Sequence, residues 1–279
     1  MSQKIFKLKG IYKDKIWGYE DWNLCCNDEG QCIIDEGKLK GESLWKMLDY
    51  KPFPVLLKII NAERDLSIQV HPTKEYCKKV EHVREKNECW YVLNAEENAC
   101  IYCGLNKEIT KNELESILGT DKIEKYLNKI VVEKGNFVYM PAGVIHAIGA
   151  GVEVLEIQQN SNITYRIYDY NRGRTLHIDK AKDVIDIEEN LKVKKENELK
   201  VFRCEDFLIE KISINGSACY CTGDKCEAIF ILKGNGIIKE ENESSLSNQV
   251  REGETFYIES DTAYRLQGDF EIIKTSFVY

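Results

Sequence analysis

Most of this chain alternates with period two, and seven stretches read as strands: 55–60, 66–71, 88–93, 99–104, 130–140, 152–158 and 163–169. They are rich in Val, Ile, Tyr and Phe, and a period of two fits strands with one face on a core. Many short strands separated by Gly/Asn turns predict a jelly roll or barrel. Helical signals are few. Thr110-Lys-Asn-Glu113 has the form of a capping box, and Leu114, Ile117 and Leu118 follow at helical spacing, so a helix is predicted within 110–128. Shorter helices are predicted over 179–186 and 42–48. Residues 187–200 are densely charged and read as a solvated connector between domains. The expectation is a mainly β chain of two tandem jelly-roll barrels. The first, 1–190, carries a small helical insertion at 106–128; the second is 198–279.

Charge narrows the function. A net charge of −8 disfavours nucleic acid and anionic membranes, both of which attract a basic surface. Any anionic substrate then needs a local cluster of Lys and Arg. Lysines interrupt the first ten residues, and no segment is long and apolar enough to span a bilayer, so the expected location is cytoplasmic. Eleven cysteines, an odd number in a long chain, fit reduced thiols better than a disulfide framework. Cys100-x-x-Cys103 lies in an apolar run and reads as two small buried residues.

The run Gly135 to Gly149 carries the chemistry. Gly135 opens a strand, Pro141-Ala-Gly143 makes a sharp turn, and His146 follows. The spacing resembles the second metal-binding motif of the cupin superfamily, with Ala150 where that motif often has Asn. In Leu66-Ser-Ile-Gln-Val-His71, alternation puts Ser67, Gln69 and His71 on one face and Leu66, Ile68 and Val70 on the other. In Lys86-Asn-Glu88, Lys86 and Glu88 share a face. Setting that strand beside the first brings Glu88 against His71. The candidate ligand set is His71, Glu88 and His146 with Gln69, a nitrogen and oxygen set suited to Zn²⁺ with room for substrate. His82, in a charged segment, reads as surface, and His177 as a cleft neighbour at most. Gly253 to Tyr264 repeats the glycine-strand-turn outline, with Glu259, Asp261 and Tyr264 replacing the Pro, Gly and His, so the second barrel is expected to bind no metal in this way.

Lys58 interrupts Leu-Leu-Lys-Ile-Ile, and it either reaches solvent or faces a polar site. Residues 152–172 read as two strands joined by Asn-Ser-Asn in a hairpin. Glu156 and Arg166 interrupt its two apolar strands, either as a cross-strand ion pair or as site groups. Together Lys58, Lys86, Arg166 and Arg172 supply a local anion pocket.

These motifs (Leu66-Ser-Ile-Gln-Val-His-Pro, Glu88-Cys-Trp-Tyr-Val-Leu, Pro-Ala-Gly-x-x-His, Glu156-Ile-Gln-Gln-Asn-Ser, Thr-Tyr-Arg-Ile-Tyr-Asp169) resemble class I mannose-6-phosphate isomerases of the short bacterial branch. Lys-Ile-Trp-Gly18 fits as well, and the likeness is strongest over residues 5–175. It implies a zinc enzyme on a cupin fold that interconverts mannose 6-phosphate and fructose 6-phosphate. It implies one Zn²⁺ on Gln69, His71, Glu88 and His146, an active-site arginine at Arg166, and cleft positions at Ser67, Lys58, Lys86 and Glu156. The chain departs from the family in having little sequence between Leu48 and Pro52, Glu85 in place of the usual Gly, and a poor match over 20–35.

An aldose–ketose isomerisation through an enediol needs an electrophile, a base and a grip on the phosphate. Zinc is the expected electrophile, Arg166 the charge-stabilising fork, and Lys86 or Glu156 the proton carrier. Arg172 joins Lys58 and Ser67 as expected substrate contacts. The rivals are a non-haem iron cupin oxygenase, which also uses two His and a carboxylate, and a non-catalytic sugar-phosphate-binding cupin. The expected partner is a small phosphorylated sugar, with the chain a monomer or homodimer.

Overall fold

The computed structural model describes residues 3–51, 53–241 and 247–277. The extreme ends of the two expected domains, at 1–2 and 278–279, lie outside the described residues, as does Pro52. Strands take up 49% of the chain and helices 13%, so the fold is mainly β. The sheets are open rather than closed into barrels. The chain divides into two units, one of residues 13–20 and 58–198, the other of residues 1–12, 21–57 and 199–279. This places 1–12 and 21–57 with the C-terminal residues, not in the expected 1–190. The reason is pairing: strand Ile5–Lys9 runs antiparallel to Thr255–Ile258.

The unit of residues 58–198 is built on two sheets. Its elements are β1 (Val55–Ala62), β2 (Ile68–Val70), β3 (Glu88–Ala95), β4 (Cys100–Leu105), α1 (Lys111–Ile117), β5 (Leu127–Val131), β6 (Phe137–Met140), β7 (His146–Ile148), β8 (Val152–Gln159), β9 (Tyr165–Tyr168), α2 (Ile178–Val184) and α3 (Ile187–Asn190). One sheet runs β5-β4-β7-β2-β9; the other holds β6-β3-β8-β1, with strand Lys195–Glu196 beside β6.

The alternation of side chains sorts into three layers. Ile60, Trp90, Val92, Ile101, Val138, Ile148 and Val154 fill the space between the sheets. Ile68, Val70, Ala147, Tyr165 and Ile167 point to the outer face of the five-stranded sheet, where Leu114 and Ile117 of α1 and Ala181 and Val184 of α2 cover them. Gln69, His146 and Arg166 are register partners on adjacent strands, so they share the inner face.

Four expectations fail here. The segment 130–140 is two strands, because Gly135 adopts a positive φ and the Glu133 and Asn136 groups close a turn. The helix predicted within 110–128 stops at Ile117; Gly119 takes φ 79° and a short 3₁₀ turn, Asp121–Tyr126, follows. β8 and β9 are not a hairpin. They belong to different sheets, and residues 160–164 cross from one to the other. The connector is also structured, since α3 ends on buried Asn190 and Leu199 is buried.

The other unit pairs three long strands, β10 (Phe207–Cys221), β11 (Glu227–Glu240) and β13 (Ala263–Phe277), with β13 in the middle and β12 (Thr255–Ile258) beside β11. Ile229, Ile231, Phe256, Tyr264, Leu266 and Ile272 form its core. Among the described residues no helix is long and apolar enough to cross a membrane.

Gly104 has φ 72°, and a Cβ there would collide with the Asn190 carbonyl oxygen. Gly104→Ala should therefore lower unfolding free energy by about 2 kcal/mol or more, measured by denaturant titration. An unchanged midpoint would show that α3 does not pack there.

Candidate active site

The inner faces of the two sheets bring His71, Glu88 and His146 together, and all three are buried. They come from opposite sheets. His71 follows β2 and His146 opens β7 in the five-stranded sheet, while Glu88 opens β3 in the other. The side-by-side placement of the His71 and Glu88 strands is thus corrected: they converge across the core space, not along one sheet. Imidazole Nε2 of His71 lies 3.2 Å from Glu88 Oε2, and that of His146 lies 3.4 Å from Glu88 Oε1.

Local hydrogen bonds fix both rings. His71 Nδ1 lies 2.8 Å from the Ile163 carbonyl, and His146 Nδ1 lies 2.9 Å from the Val144 carbonyl. A carbonyl accepts only, so each Nδ1 carries the proton and each Nε2 turns a lone pair inward. His71 Nε2 and the Glu88 oxygens are buried without a well-formed hydrogen bond. Orphaned buried acceptors are costly. Two ligands held tetrahedrally on a cation at zinc-like bond lengths lie about 3.4 Å apart, close to the spacings seen. The donor set therefore fits a divalent cation, and metal-bound imidazoles commonly donate their other nitrogen to a carbonyl in this way. Gln69 joins them through its amide, whose nitrogen lies 3.3 Å from His146 Nε2; turned over, the amide presents its oxygen instead.

Charged groups ring the cluster. Lys86 Nζ is 2.9 Å from Glu88 Oε2, and Lys58 Nζ is 3.3 Å from Glu156 Oε2. Lys58 is only 5% exposed, which decides between its two readings: it faces the polar interior. Burial acts to raise the Glu88 carboxyl, but the Lys86 ammonium beside it holds it well below the usual carboxylate range. Burial, reinforced by the Glu88 charge, pushes the Glu156 carboxyl up. Burial works to lower the Lys86 ammonium, but Glu88 and Glu156 keep it above its ordinary value. Burial pushes the His71 imidazole down to about 3, with Lys86 adding to the effect, and burial also lowers His146.

Arg166 stands opposite Gln69 in the sheet. Its Nη1 donates to the Thr175 carbonyl, while Nε is buried with no partner. Glu156 and Arg166 do not form the cross-strand pair weighed above, because their strands lie in different sheets. Ser67 is buried ahead of Gln69. Arg172 is engaged elsewhere: Nε and Nη2 bind Asp169 Oδ1, and Nη1 binds the Asp65 carbonyl. His82 is exposed, and His177 Nδ1 accepts from the Arg166 backbone N–H.

The sequence reading passed over Trp90 and Gln158. Trp90 packs edge-on at 5.5 Å from the His146 ring and donates to Glu156 Oε1. Gln158 is fully buried and sits opposite Glu88 in register. Parity alone marks both, since each lies two residues from a chosen position on the same strand.

Residues 27–98 match the catalytic domain of type I phosphomannose isomerases. That stretch holds Gln69, His71 and Glu88. Mannose-6-phosphate isomerase ManA of Bacillus subtilis (strain 168) is 33% identical over 277 residues, covering 85% of this chain and 88% of that protein. This chain belongs to the type I phosphomannose isomerase family. A mannose-6-phosphate isomerase of Streptococcus mutans is 34% identical over 220 residues, covering 67% of this chain and 69% of its own. The crystal structure of the Bacillus subtilis mannose 6-phosphate isomerase superposes with a TM-score of 0.85 at 26% identity, covering 98% of this chain and 99% of that one. This member of the family therefore has the cupin-type fold of a phosphomannose isomerase, and it is an enzyme.

The lowered His71 value sets a pH dependence for the chelated protein. Unfolded His71 takes a proton below its ordinary 6.5, and folded His71 does not until about 3. Stability is thus complete above pH 6.5 and is lost as pH falls through that window. At pH 5 the loss from His71 alone is about 2 kcal/mol. Denaturant midpoints at pH 7.5 and 5.0 should differ accordingly, and by less in His71→Gln. Equal pH dependence in the two proteins would refute the buried neutral imidazole.

Proposed function

We propose that this enzyme interconverts mannose 6-phosphate and fructose 6-phosphate through an enediol, with one Zn²⁺ held by His71, Glu88 and His146 and assisted by Gln69. The observation that carries this reading is the cluster of two inward Nε2 lone pairs and one deprotonated carboxylate, buried beside Lys86 and Arg166. Its relatives carry the isomerase name, and the donor set suits zinc. Zinc would act as a Lewis acid on the sugar oxygens. The enzyme's own residues supply the rest. Lys86 orients Glu88 and adds positive charge. Because its ammonium is stabilised, it is a poor base near neutral pH. Glu156, raised toward neutral pH by burial, is the better proton carrier between C1 and C2.

Arg166 offers an unpartnered buried Nε–H for a sugar oxygen or the phosphate. Lys58 and Ser67 lie on the inner faces of the two opposing sheets. Arg172 would bind phosphate only by exchanging its Asp169 and Asp65 partners. The two units are read as tandem cupin-type domains, the second without ligands: Tyr264 stands at the position of His146 and donates to Glu227 at 2.9 Å. The cysteines, read as reduced thiols, suit a cytoplasmic enzyme.

A coupled assay with mannose 6-phosphate, with and without chelator and with metal analysis, tests the reading. Stoichiometric zinc and oxygen-independent turnover are expected, abolished by chelation; iron-dependent oxygen uptake would replace the isomerase with an oxygenase. Arg166→Ala and Glu156→Gln should each lower kcat about 100-fold or more with zinc content unchanged. Full activity in either variant would remove that residue from the chemistry, and sugar phosphate bound without product would leave a binding protein.

A further inference from the structure

The turn that delivers His146 is gripped by two carboxamides, neither of which is a ligand candidate. Asn190, at the end of α3, is 2% exposed. Its Nδ2 donates to the Gly143 carbonyl at 2.8 Å, and its Oδ1 accepts from the Ile145 N–H at 2.8 Å. These two bonds bracket Val144, whose carbonyl holds His146 Nδ1. Gly104, free of a Cβ, lets the Asn190 backbone approach and donates its own N–H to the Ile145 carbonyl. Asn87, between Lys86 and Glu88, reaches the other end of the turn: its Oδ1 accepts from the Ala142 N–H at 2.8 Å. Its backbone exchanges two bonds with Gln159, at 2.8 and 3.0 Å. The same turn is tied to His71, whose carbonyl accepts from Gly143 N–H at 2.8 Å.

We propose that Asn190 and Asn87 are positioning residues that set the Val144 carbonyl, and through it the tautomer and aim of His146, before any metal arrives. This rests on the metal reading of the site given above. The physical case is that an imidazole with two free rotations and two tautomers otherwise spends part of its time with Nε2 protonated or turned away. A fixed carbonyl acceptor removes that alternative. Asn190 does this from the segment whose composition reads as a solvated connector. A bond from so remote a segment means that formation of α3 is coupled to the readiness of the metal centre.

The test uses the full chain and Zn²⁺ in competition with a chromophoric chelator. Circular dichroism gives the folded fraction of each variant. Asn190→Ala should weaken zinc binding per folded molecule about 10–100-fold, and Asn87→Ala, whose bond to Ala142 is part-buried, by less. Asn190→Asp keeps the acceptor for Ile145 but loses the donor to Gly143, and should also weaken binding. If Asn190→Ala does not fold, Asn190→Asp and Asn87→Ala carry the measurement. Nitrogen-15 spectra of the metal-free protein give a readout that a merely structural role would not move. The chain has four histidines, so the rings are separable. His146 should lose its single tautomer in the variants while His71, held by Ile163, keeps its own. Unchanged zinc affinity in folded variants would overturn the proposal, and so would weakened affinity with an unaltered His146 ring. Failure of the unsubstituted protein to bind zinc would overturn the metal reading itself and the proposal with it.

Discussion

The site depends on two backbone carbonyls. The Ile163 and Val144 carbonyls each accept a hydrogen bond from an imidazole Nδ1–H, and this forces two Nε2 lone pairs toward one buried carboxylate. Without a cation, acceptor faces acceptor across this cluster, with the Lys86 ammonium beside Glu88 as a counter-charge. A fold that maintains it anyway has spent packing energy on a pocket for positive charge. The apolar layers make this sustainable: side chains between the sheets exclude water, and α1 and α2 seal the outer face of the strands that carry His71 and His146.

The charges beyond the ligands are balanced in pairs. Lys86 faces Glu88 and Lys58 faces Glu156, so with neutral imidazoles these four groups sum to zero. Buried carboxylates tolerate this interior because each has an ammonium beside it. A divalent ion would then leave the pocket positive, which favours anionic oxygen. The same pairing separates the two carboxyls: Glu88 is held ionised by the Lys86 ammonium, whereas Glu156 is raised by burial and by Glu88 itself. Two carboxyls in one space thus acquire different behaviour from their surroundings alone.

Much of this was legible because strand parity is local. Ser67, Gln69 and His71, or Lys86 and Glu88, share a face whatever the rest of the chain does, and the strands over 55–62, 88–95, 100–105 and 152–159 appear where alternation placed them. What parity does not encode is which sheet a strand joins. Asn-Ser-Asn between two strands has the chemistry of a hairpin turn, yet it serves as a crossover, because the Gln158 side chain binds the Gln159 and Ser161 carbonyls and turns the chain away. Asn190 was hidden for a different reason. Its neighbours are charged and exposed, and one buried carboxamide leaves no periodic trace. The N-terminal strand likewise reads as the start of the first domain, and only its pairing with β12 shows where it belongs.

The crossover at 160–164 has a consequence for how such an enzyme diverges. Ten positions carry the chain from Glu156 on one wall to Arg166 on the other. Each end is set by its own sheet: Glu156 stands opposite Trp90, and Arg166 opposite Gln69. Residues added or removed within the crossover can reshape it while both side chains keep their strand partners.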